Sequence, residues 1–319
     1  MGWFKDLFIV NEEVAEEPPL PAQVVLDAEV GAAIWPSGRC CTWDLLSGER
    51  LGDFQASGPS IALSGQRLVD GAGTVRDLQG AEIVQLPVAG VPRWLGPRVL
   101  VLGWNQLWLG EPGEERPIRS AQGLDVSGAA RVVRHGARVA ILDPQLQAPW
   151  LLDLEAGTVV PLGGYSAPVH GGCWHRGLLH TVQKGEVVVW EEGRPSPLPP
   201  RHGLQTLDLL SDGQRLLSLG LDAQGEGELL AGDRRLALPR LPSSPRLALS
   251  ALGPVAETWC GFERLDGPGL ELPKRRGGRR PLVSMAVGGQ GALLGTWPVT
   301  LYRLSDATCR FQLPSEPAS

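Results

Sequence analysis

The sequence contains little of what marks an exported or membrane-spanning chain. No uninterrupted apolar run approaches the roughly 20 residues that a bilayer-crossing helix needs. The first residues, MGWFKDLFIVNEEV, lack the basic start and the apolar stretch of a secretion signal. The five cysteines are an odd number without paired spacing, which is typical of a reducing compartment. We therefore expect a cytoplasmic protein that is not associated with a membrane.

Lysine is scarce, and positive charge is not in excess. Only Lys5, Lys184 and Lys274 occur, so arginine carries nearly all the basic charge, a bias that favours a GC-rich bacterial source. The formal net charge is −6, whereas a nucleic-acid-binding domain normally has a positive field over one face. We therefore expect no nucleic acid among the partners.

Glycine and proline, by contrast, are abundant. The chain has 42 glycines and 28 prolines without the regular glycine spacing of a collagen helix, so these residues indicate many turns between short elements. Hydrophobic residues make up 43% of the sequence, which is enough to bury a core that offsets the ordering entropy of the chain. The composition predicts an all-β protein, and a chain of this length can form one continuous unit.

A degenerate repeat runs along the chain. Its clearest mark is Gly-x-Arg followed by Leu or Val, which opens a short apolar run at residues 65–68, 96–99, 136–139 and 213–216. Looser copies, with a glycine before an apolar stretch, begin at Gly31, Gly177, Gly253 and Gly291. Consecutive members of this series lie 31 to 41 residues apart, close to the period of about 40 residues that is typical of propeller blades.

A second series of turn residues follows in phase with the first. Each member lies 14 to 21 residues after its partner, with apolar stretches on both sides, as in WLLDLEAGTVVPL. The members are Gly48, Gly80, Gly113, Gly157, Gly193, Gly232, Gly267 and Asp306. Glycine and aspartate between apolar runs are typical of tight hairpin turns. Each unit therefore predicts an inner strand, a second strand that starts near the first glycine, and a hairpin around the second turn.

Two stretches resemble the WD-repeat family. Residues 42–48, TWDLLSG, are similar to the closing Trp-Asp of a WD repeat and its turn, and residues 211–218, SDGQRLLS, are similar to the entry into its second strand. The resemblance spans about residues 22–314 and implies a β-propeller. Eight units predict eight four-stranded blades, or seven if the weakest unit, near residues 243–273, is not a blade. A last strand at FQLP, residues 311–314, predicts closure without a swapped strand.

Residues 1–21 form an N-terminal region before the predicted propeller of residues 22–319. Trp3, Phe4, Leu7 and Phe8 recur close to helical spacing and predict a short amphipathic arm. The acidic, proline-rich NEEVAEEPPLP then predicts an extended linker. The arm either covers a groove or the open end of the propeller, or it docks on another protein. These four side chains are candidate partner-binding residues.

The strongest charge block is KRRGGRR at residues 274–280. It is either a solvated loop or a contact for an acidic partner or a phosphate, because guanidinium groups suit carboxylates and phosphates. Arg275, Arg276, Arg279 and Arg280 are therefore a second set of candidate partner-binding residues.

The densest cluster of ligand-type side chains is His170, Cys173, His175 and His180. A structural zinc site usually adds a second paired motif elsewhere, and none occurs, so we expect ordinary blade packing with solvent-exposed histidines and no metal.

Acidic residues recur on the predicted innermost strands at Asp27, Asp125 and Asp208. Facing the axis, they would gather a cation or a polar substrate. Their unequal offsets from the next glycine favour the structural capping of turns instead.

The sequence has no Gly-x-Ser-x-Gly elbow, Walker loop, zincin motif or sialidase-type aspartate box. A serine–histidine–aspartate triad from distant blades stays open, because triads are defined by geometry. We expect a non-catalytic, WD-repeat-like scaffold that needs no cofactor and binds partner proteins through blade loops, the arm and the basic segment. The alternatives are a channel-centred hydrolase or lyase, and an accessory propeller subunit of a bacterial nucleotide-driven multiprotein system.

Overall fold

The computed structural model describes residues 20–27, 29–272, 284–288, 291–296 and 299–313. These residues form 32 β-strands in eight sheets, each made of four consecutive antiparallel strands. They contain no helix, and therefore none that is long and apolar enough to cross a membrane. The all-β prediction is confirmed, whereas the predicted N-terminal helical arm lies outside the described residues.

Each sheet is one blade of a propeller. Blade 1 has β1 Gln23–Asp27, β2 Val30–Ile34, β3 Arg39–Asp44 and β4 Arg50–Gln55; blade 2 has β5 Ile61–Ser64, β6 Arg67–Asp70, β7 Thr74–Asp77 and β8 Glu82–Gln85. Blade 3 has β9 Val91–Leu95, β10 Arg98–Gly103, β11 Gln106–Gly110 and β12 Arg119–Ser120; blade 4 has β13 Arg131–His135, β14 Arg138–Leu142, β15 Trp150–Asp153 and β16 Val159–Pro161.

The second half of the chain repeats the same plan. Blade 5 has β17 Val169–His175, β18 Leu178–Gln183, β19 Glu186–Glu191 and β20 Arg194–Pro197; blade 6 has β21 Gln205–Ser211, β22 Leu216–Leu221, β23 Gly227–Ala231 and β24 Arg234–Leu238. Blade 7 has β25 Leu247–Ser250, β26 Gly253–Glu257, β27 Gly261–Arg264 and β28 Gly267–Glu271; blade 8 has β29 Met285–Gly288, β30 Gly291–Leu294, β31 Val299–Arg303 and β32 Cys309–Leu313.

The first strand of each blade lies innermost, and the ring closes where β1 contacts β29. The weak unit near residues 243–273 is blade 7, so the count is eight and the seven-blade alternative is wrong. All four strands of blade 8 come from the last segment of the described chain, which confirms the predicted closure without a swapped strand.

Most members of the two predicted turn series lie where strands reverse. Gly65 joins β5 to β6 with a φ of +54°, and Gly48 precedes β4 with a φ of +79°. Residues with a Cβ rarely adopt such backbone angles. Gly31 and Gly291 differ, because they lie within β2 and at the start of β30 rather than in turns. Glycine therefore marks the hairpins of this chain well but not without exception.

The core is divided among the seams between blades. Eight apolar clusters occupy the eight seams, one in each. Trp43 of blade 1 packs with Leu301 of blade 8, and Trp108 of blade 3 packs with Val69 of blade 2. Every residue of β2 is buried, because a second strand is covered by neighbouring blades on both faces. Apolar burial between blades therefore holds the ring together.

One ion pair crosses the centre of the ring. Arg131 Nη1 on the innermost strand of blade 4 donates to Asp208 Oδ1 on that of blade 6. Asp208 Oδ2 also accepts from the N–H of Leu247 in blade 7 at 2.7 Å. The pair passes over Gly171 of blade 5, where an added Cβ would lie 2.3 Å from Asp208 Oδ1. The contact thus ties three blades together across a fourth.

The strands bend to make this contact. The register of β17 against β18 shifts between Val169 and Gly171, and that of β21 against β22 shifts between Thr206 and Asp208. A β-bulge re-aims side chains by inserting an extra residue. Gly171 and Asp208 are the residues at which the regular pairing resumes after these two shifts.

We expect Gly171→Ala to destabilise the protein by about 2 kcal/mol or more, because the methyl group would displace Asp208 or Arg131 in a packed centre. The matched control is Gly163→Ala, since Gly163 is exposed with nothing within 4 Å of an added Cβ and should change stability by only about 0.5 kcal/mol. Denaturant unfolding of both variants measures the difference. Equal stability of the two variants would show that the centre accommodates a side chain.

Candidate functional site

The candidate functional site is the end of the central channel at which the innermost strands begin. Because every blade runs from the centre outward, the eight innermost strands share one direction, and the segments before them meet at one end. We call this end the channel mouth. Two adjoining cavities of about 370 and 290 Å³ lie there.

All eight blades contribute to the channel mouth. The two cavities share Ala129, Ser243, Ser244 and Arg246, so they form one continuous depression. One lining residue from each blade, in order from blade 1 to blade 8, is Gln23, Ser60, Arg93, Arg131, His170, Gln205, Arg246 and Ser284. All eight of these residues have polar or charged side chains, and three of them are arginines.

Hydrogen bonds between blades hold the rim in place. Gln23 Oε1 in blade 1 accepts from the N–H of Ile61 in blade 2 at 2.9 Å. Ser284 Oγ before blade 8 accepts from the N–H of Val24 in blade 1 at 3.2 Å. A rim fixed in this way is preorganised, so a ligand would not need to order it on binding.

Arg93 is held by backbone carbonyls rather than by a carboxylate. Its guanidinium donates to the carbonyl oxygens of Pro92 at 2.7 Å, of Gly128 at 3.3 Å and of Ala130. Burial, followed by the nearby charge of Arg246, lowers the pKa of Arg93 to about 10. Arg93 is therefore still charged at neutral pH, and no carboxylate in the described part of the chain forms an ion pair with it.

Arg246 projects into both cavities from the start of blade 7. Its side chain is exposed to the channel, yet protein surrounds the depression, and burial followed by the charge of Arg131 lowers the pKa of Arg246. Within the described ranges, the Arg246 guanidinium forms no hydrogen bond or ion pair of its own. Glu257 lines the same cavity and is 5% exposed. The charges of Glu257 and Asp208 oppose part of the lowering of the Arg246 pKa.

Hydroxyl groups complete the channel mouth. Ser243 and Ser244 are exposed in the segment shared by the two cavities. Thr206 lines the smaller cavity, and its buried Oγ1 has no hydrogen-bond partner among the residues that the structure places. A buried hydroxyl without a partner costs free energy, and a bound polar group would offset that cost.

The His170 to His180 segment does not assemble a ligand set. His170 is exposed at the channel mouth, whereas Cys173 is buried and lies opposite His180 in the β17–β18 ladder. His175 Nδ1 lies 2.9 Å from Ser211 Oγ. Burial raises the pKa of the Cys173 thiol to about 12, so it is protonated at neutral pH. No metal-holding group of three His, Cys, Asp or Glu residues occurs in the described ranges, and the expectation of no metal stays a prediction.

The three predicted aspartates do not share one role. Asp27 ends β1 and accepts from the N–H of Gly65 at 2.5 Å, so it caps a turn of the next blade. Asp208 lies on β21 and forms the central ion pair instead of capping a turn. The placement of Asp125 on an innermost strand is wrong. It follows Leu124, whose carbonyl is bound to the N–H of Asn105 in a loop before β13.

A buried serine–histidine–glutamate chain was missed by the sequence reasoning. His202 Nε2 lies 3.0 Å from Ser218 Oγ, and His202 Nδ1 lies 2.8 Å from Glu228 Oε1. Gly220 leaves room for the imidazole, because an added Cβ would lie 2.4 Å from its ring. The residues come from one loop and two strands of blade 6, and their spacing matches no motif. The close contact between Gly220 and the His202 ring has no sequence signature and is found only in the structure.

This chain follows the bonding order of a hydrolase triad, but it is closed. Ser218 is fully buried and His202 is 3% exposed, so no substrate reaches the hydroxyl in this conformation. Glu228 Oε2 lies 3.1 Å from Arg235 Nε, at an angle that makes the contact an ion pair and not a hydrogen bond. The arrangement ties the loop before blade 6 to its second and third strands.

Both sets of predicted partner-binding residues lie outside the described residues. These are Trp3, Phe4, Leu7, Phe8, Arg275, Arg276, Arg279 and Arg280. The structure neither brings them to the channel mouth nor separates them from it.

We expect the stability of the protein to fall as the pH is lowered from about 7.5 to about 5.5. Burial, opposed in part by the hydrogen bond to Glu228, lowers the pKa of His202, and burial also lowers the pKa of His175 and His180. The unfolded chain therefore binds more protons than the folded chain in this interval, so acidification favours unfolding.

Thermal unfolding across this pH range tests the assignment. His202→Gln should cost about 1–3 kcal/mol at pH 7.5 through the lost buried hydrogen bonds, and its stability should depend less on pH than that of the wild type. Exposed His170→Gln is the control and should keep the wild-type profile. An unchanged pH dependence in His202→Gln would contradict a neutral, buried His202.

No family model and no curated protein matches the chain. Its fold is similar to that of the computationally designed Ika8 protein, at 14% identity and a TM-score of 0.63 over 89% of this chain and 96% of that one. Apo AztD from Citrobacter koseri matches at 13% identity and a TM-score of 0.55 over 86% and 91% of the two chains. BamB from Moraxella catarrhalis matches at 15% identity and a TM-score of 0.53 over 74% and 81%. The likeness is one of fold alone: the chain is an eight-bladed β-propeller of four-stranded blades.

Proposed function

We propose that the protein is a non-catalytic, WD-repeat-like interaction scaffold that holds a segment of a partner protein at the channel mouth. The observation that carries the proposal is the composition of the mouth, in which all eight blades contribute a polar or charged side chain to one open depression. Loops on a rigid scaffold are the usual place for binding residues. The proposed setting is the cytoplasm of a bacterium.

The position of the channel mouth in the chain supports this proposal. Ala22 and Ser284 both line it. In the sequence, Ala22 directly follows the acidic linker, and Ser284 comes four residues after the end of the basic segment. The arm and the basic segment are therefore proposed to add contacts beside the mouth.

The two alternatives have less support. A channel-centred hydrolase or lyase needs an accessible nucleophile or acid–base pair, and the Ser218–His202–Glu228 chain is closed to solvent. An accessory subunit of a bacterial nucleotide-driven system would use the same binding surface, so it differs from the scaffold only in the identity of the partner.

Site-specific photocross-linking tests whether the channel mouth is the binding face. A photoreactive residue at Ser244 in the mouth should yield a discrete protein adduct in the native source. The same residue at Gln214, which is exposed in the β21–β22 turn at the opposite end of the ring, should not. Adducts of equal yield at both positions, or at Gln214 alone, would argue against the proposed face.

Deleting residues 1–18, or changing Arg275, Arg276, Arg279 and Arg280 to glutamate, should weaken capture of that partner without unfolding the ring. The contribution of the arm should persist in salt because it is apolar. The contribution of the arginines should fade, since exposed charges are screened within about 8 Å at physiological ionic strength. Pull-downs at low and high salt, with thermal unfolding as the folding control, separate the two. If the truncated protein unfolds, the arm belongs to the core; if both variants bind normally, neither segment contacts the partner.

A further inference from the structure

The channel mouth contains two guanidinium groups that form no ion pair with a carboxylate of the described residues. Arg93 donates only to backbone carbonyls, and in the described part of the chain the Arg246 side chain is bound to no acceptor. Arg93 and Arg246 border the same cavity of about 370 Å³. Burial and then the charge of Arg246 lower the pKa of Arg93, so the two positive charges lie close enough to repel each other. An anion placed in this cavity would relieve that repulsion.

The nearby carboxylates leave this role open. Asp208 is committed to Arg131 and to the N–H groups of Leu209 and Leu247. Glu257 raises the pKa of Arg246 without forming an ion pair with it, and it is buried in the cavity wall. Glu257 also has a further interaction of its own, and Asp143, which raises the pKa of Arg93, accepts hydrogen bonds from Ser127. Each neighbouring carboxylate therefore has other partners, and the Arg246 guanidinium is left to bind an external anion.

We propose that the channel mouth binds a carboxylate of an acidic polypeptide segment between Arg93 and Arg246. The planar guanidinium group of Arg246 matches the two oxygens of a carboxylate, and the exposed hydroxyls of Ser243 and Ser244 lie in the same depression as further donors. The mouth is open to solvent and spans two joined cavities, so an extended segment fits along it while one acidic side chain enters. This proposal rests on the proposed function and names the chemistry of the partner.

The chain itself contains such a segment. Glu12, Glu13, Glu16 and Glu17 occur shortly before Ala22 at the rim, so they would compete with an external ligand for the same arginines. A variant with these four glutamates changed to glutamine removes that competitor while retaining the whole chain, and binding is measured in both backgrounds.

The test uses a fluorescein-labelled hexaglutamate peptide and fluorescence anisotropy at about 50 mM salt, where exposed charges are only partly screened. Hexaglutamate should bind in at least one of the two backgrounds, and hexaglutamine should bind in neither. Arg246→Gln should raise the Kd about tenfold or more, and Arg246→Lys should restore part of the affinity because the charge remains without the planar pair of donors. Exposed Arg138→Gln, at the start of β14 at the opposite end of the ring, should leave the Kd unchanged.

Several results would overturn the proposal. These are failure of hexaglutamate to bind in either background, equal affinity of hexaglutamine, and an Arg246→Gln variant that folds normally and binds as the wild type does. Displacement of the peptide by inorganic phosphate at lower concentration than by acetate would assign the mouth to phosphate instead. If hexaglutamate does not bind but the cross-link at Ser244 is retained, the acidic ligand is wrong and the scaffold function stands. If the cross-link is lost but hexaglutamate still binds, the scaffold function is wrong and the carboxylate site stands.

Discussion

The contact between Arg131 and Asp208 is the constraint on which the centre of the molecule depends. It joins blades 4, 6 and 7 through one carboxylate, and it requires glycine at position 171 because the ion pair occupies the space of a side chain. A charge buried this deeply is tolerated only when its partner is in place. The charge of Asp208 raises the pKa of Arg246, but among the described residues Asp208 forms an ion pair with Arg131 and not with Arg93 or Arg246.

The apolar seams supply the remaining cohesion. Each blade shares one apolar cluster with the blade before it and another with the blade after it, and these clusters are built mainly from second and third strands. The stabilisation from such burial is non-directional and proportional to the buried area, so it holds the blades together but does not fix their positions relative to one another. Those positions are fixed by hydrogen bonds between blades, such as the ones that Gln23 and Asp27 accept from blade 2.

The blade plan could be predicted from the sequence because it is local. Glycines such as Gly48 and Gly65 mark hairpins through their own backbone angles, and each blade is one continuous segment. The channel mouth could not be predicted, because Arg93 and Arg246 are far apart in sequence and only ring closure brings them to one cavity. The placement of Asp125 failed for a related reason: its loop is tied to the turn at Asn105, a contact without a sequence signature.

Closure without strand exchange has a consequence for how this ring can change in evolution and in engineering. Because every sheet is one uninterrupted stretch of chain and the first and last blades exchange no strand, a blade is also a unit of duplication or loss. For the same reason, the positions of the chain ends are not tied to one seam. A circular permutant opened at another linker between blades would present the same eight sheets and the same seams, with its ends moved to a different point of the circumference.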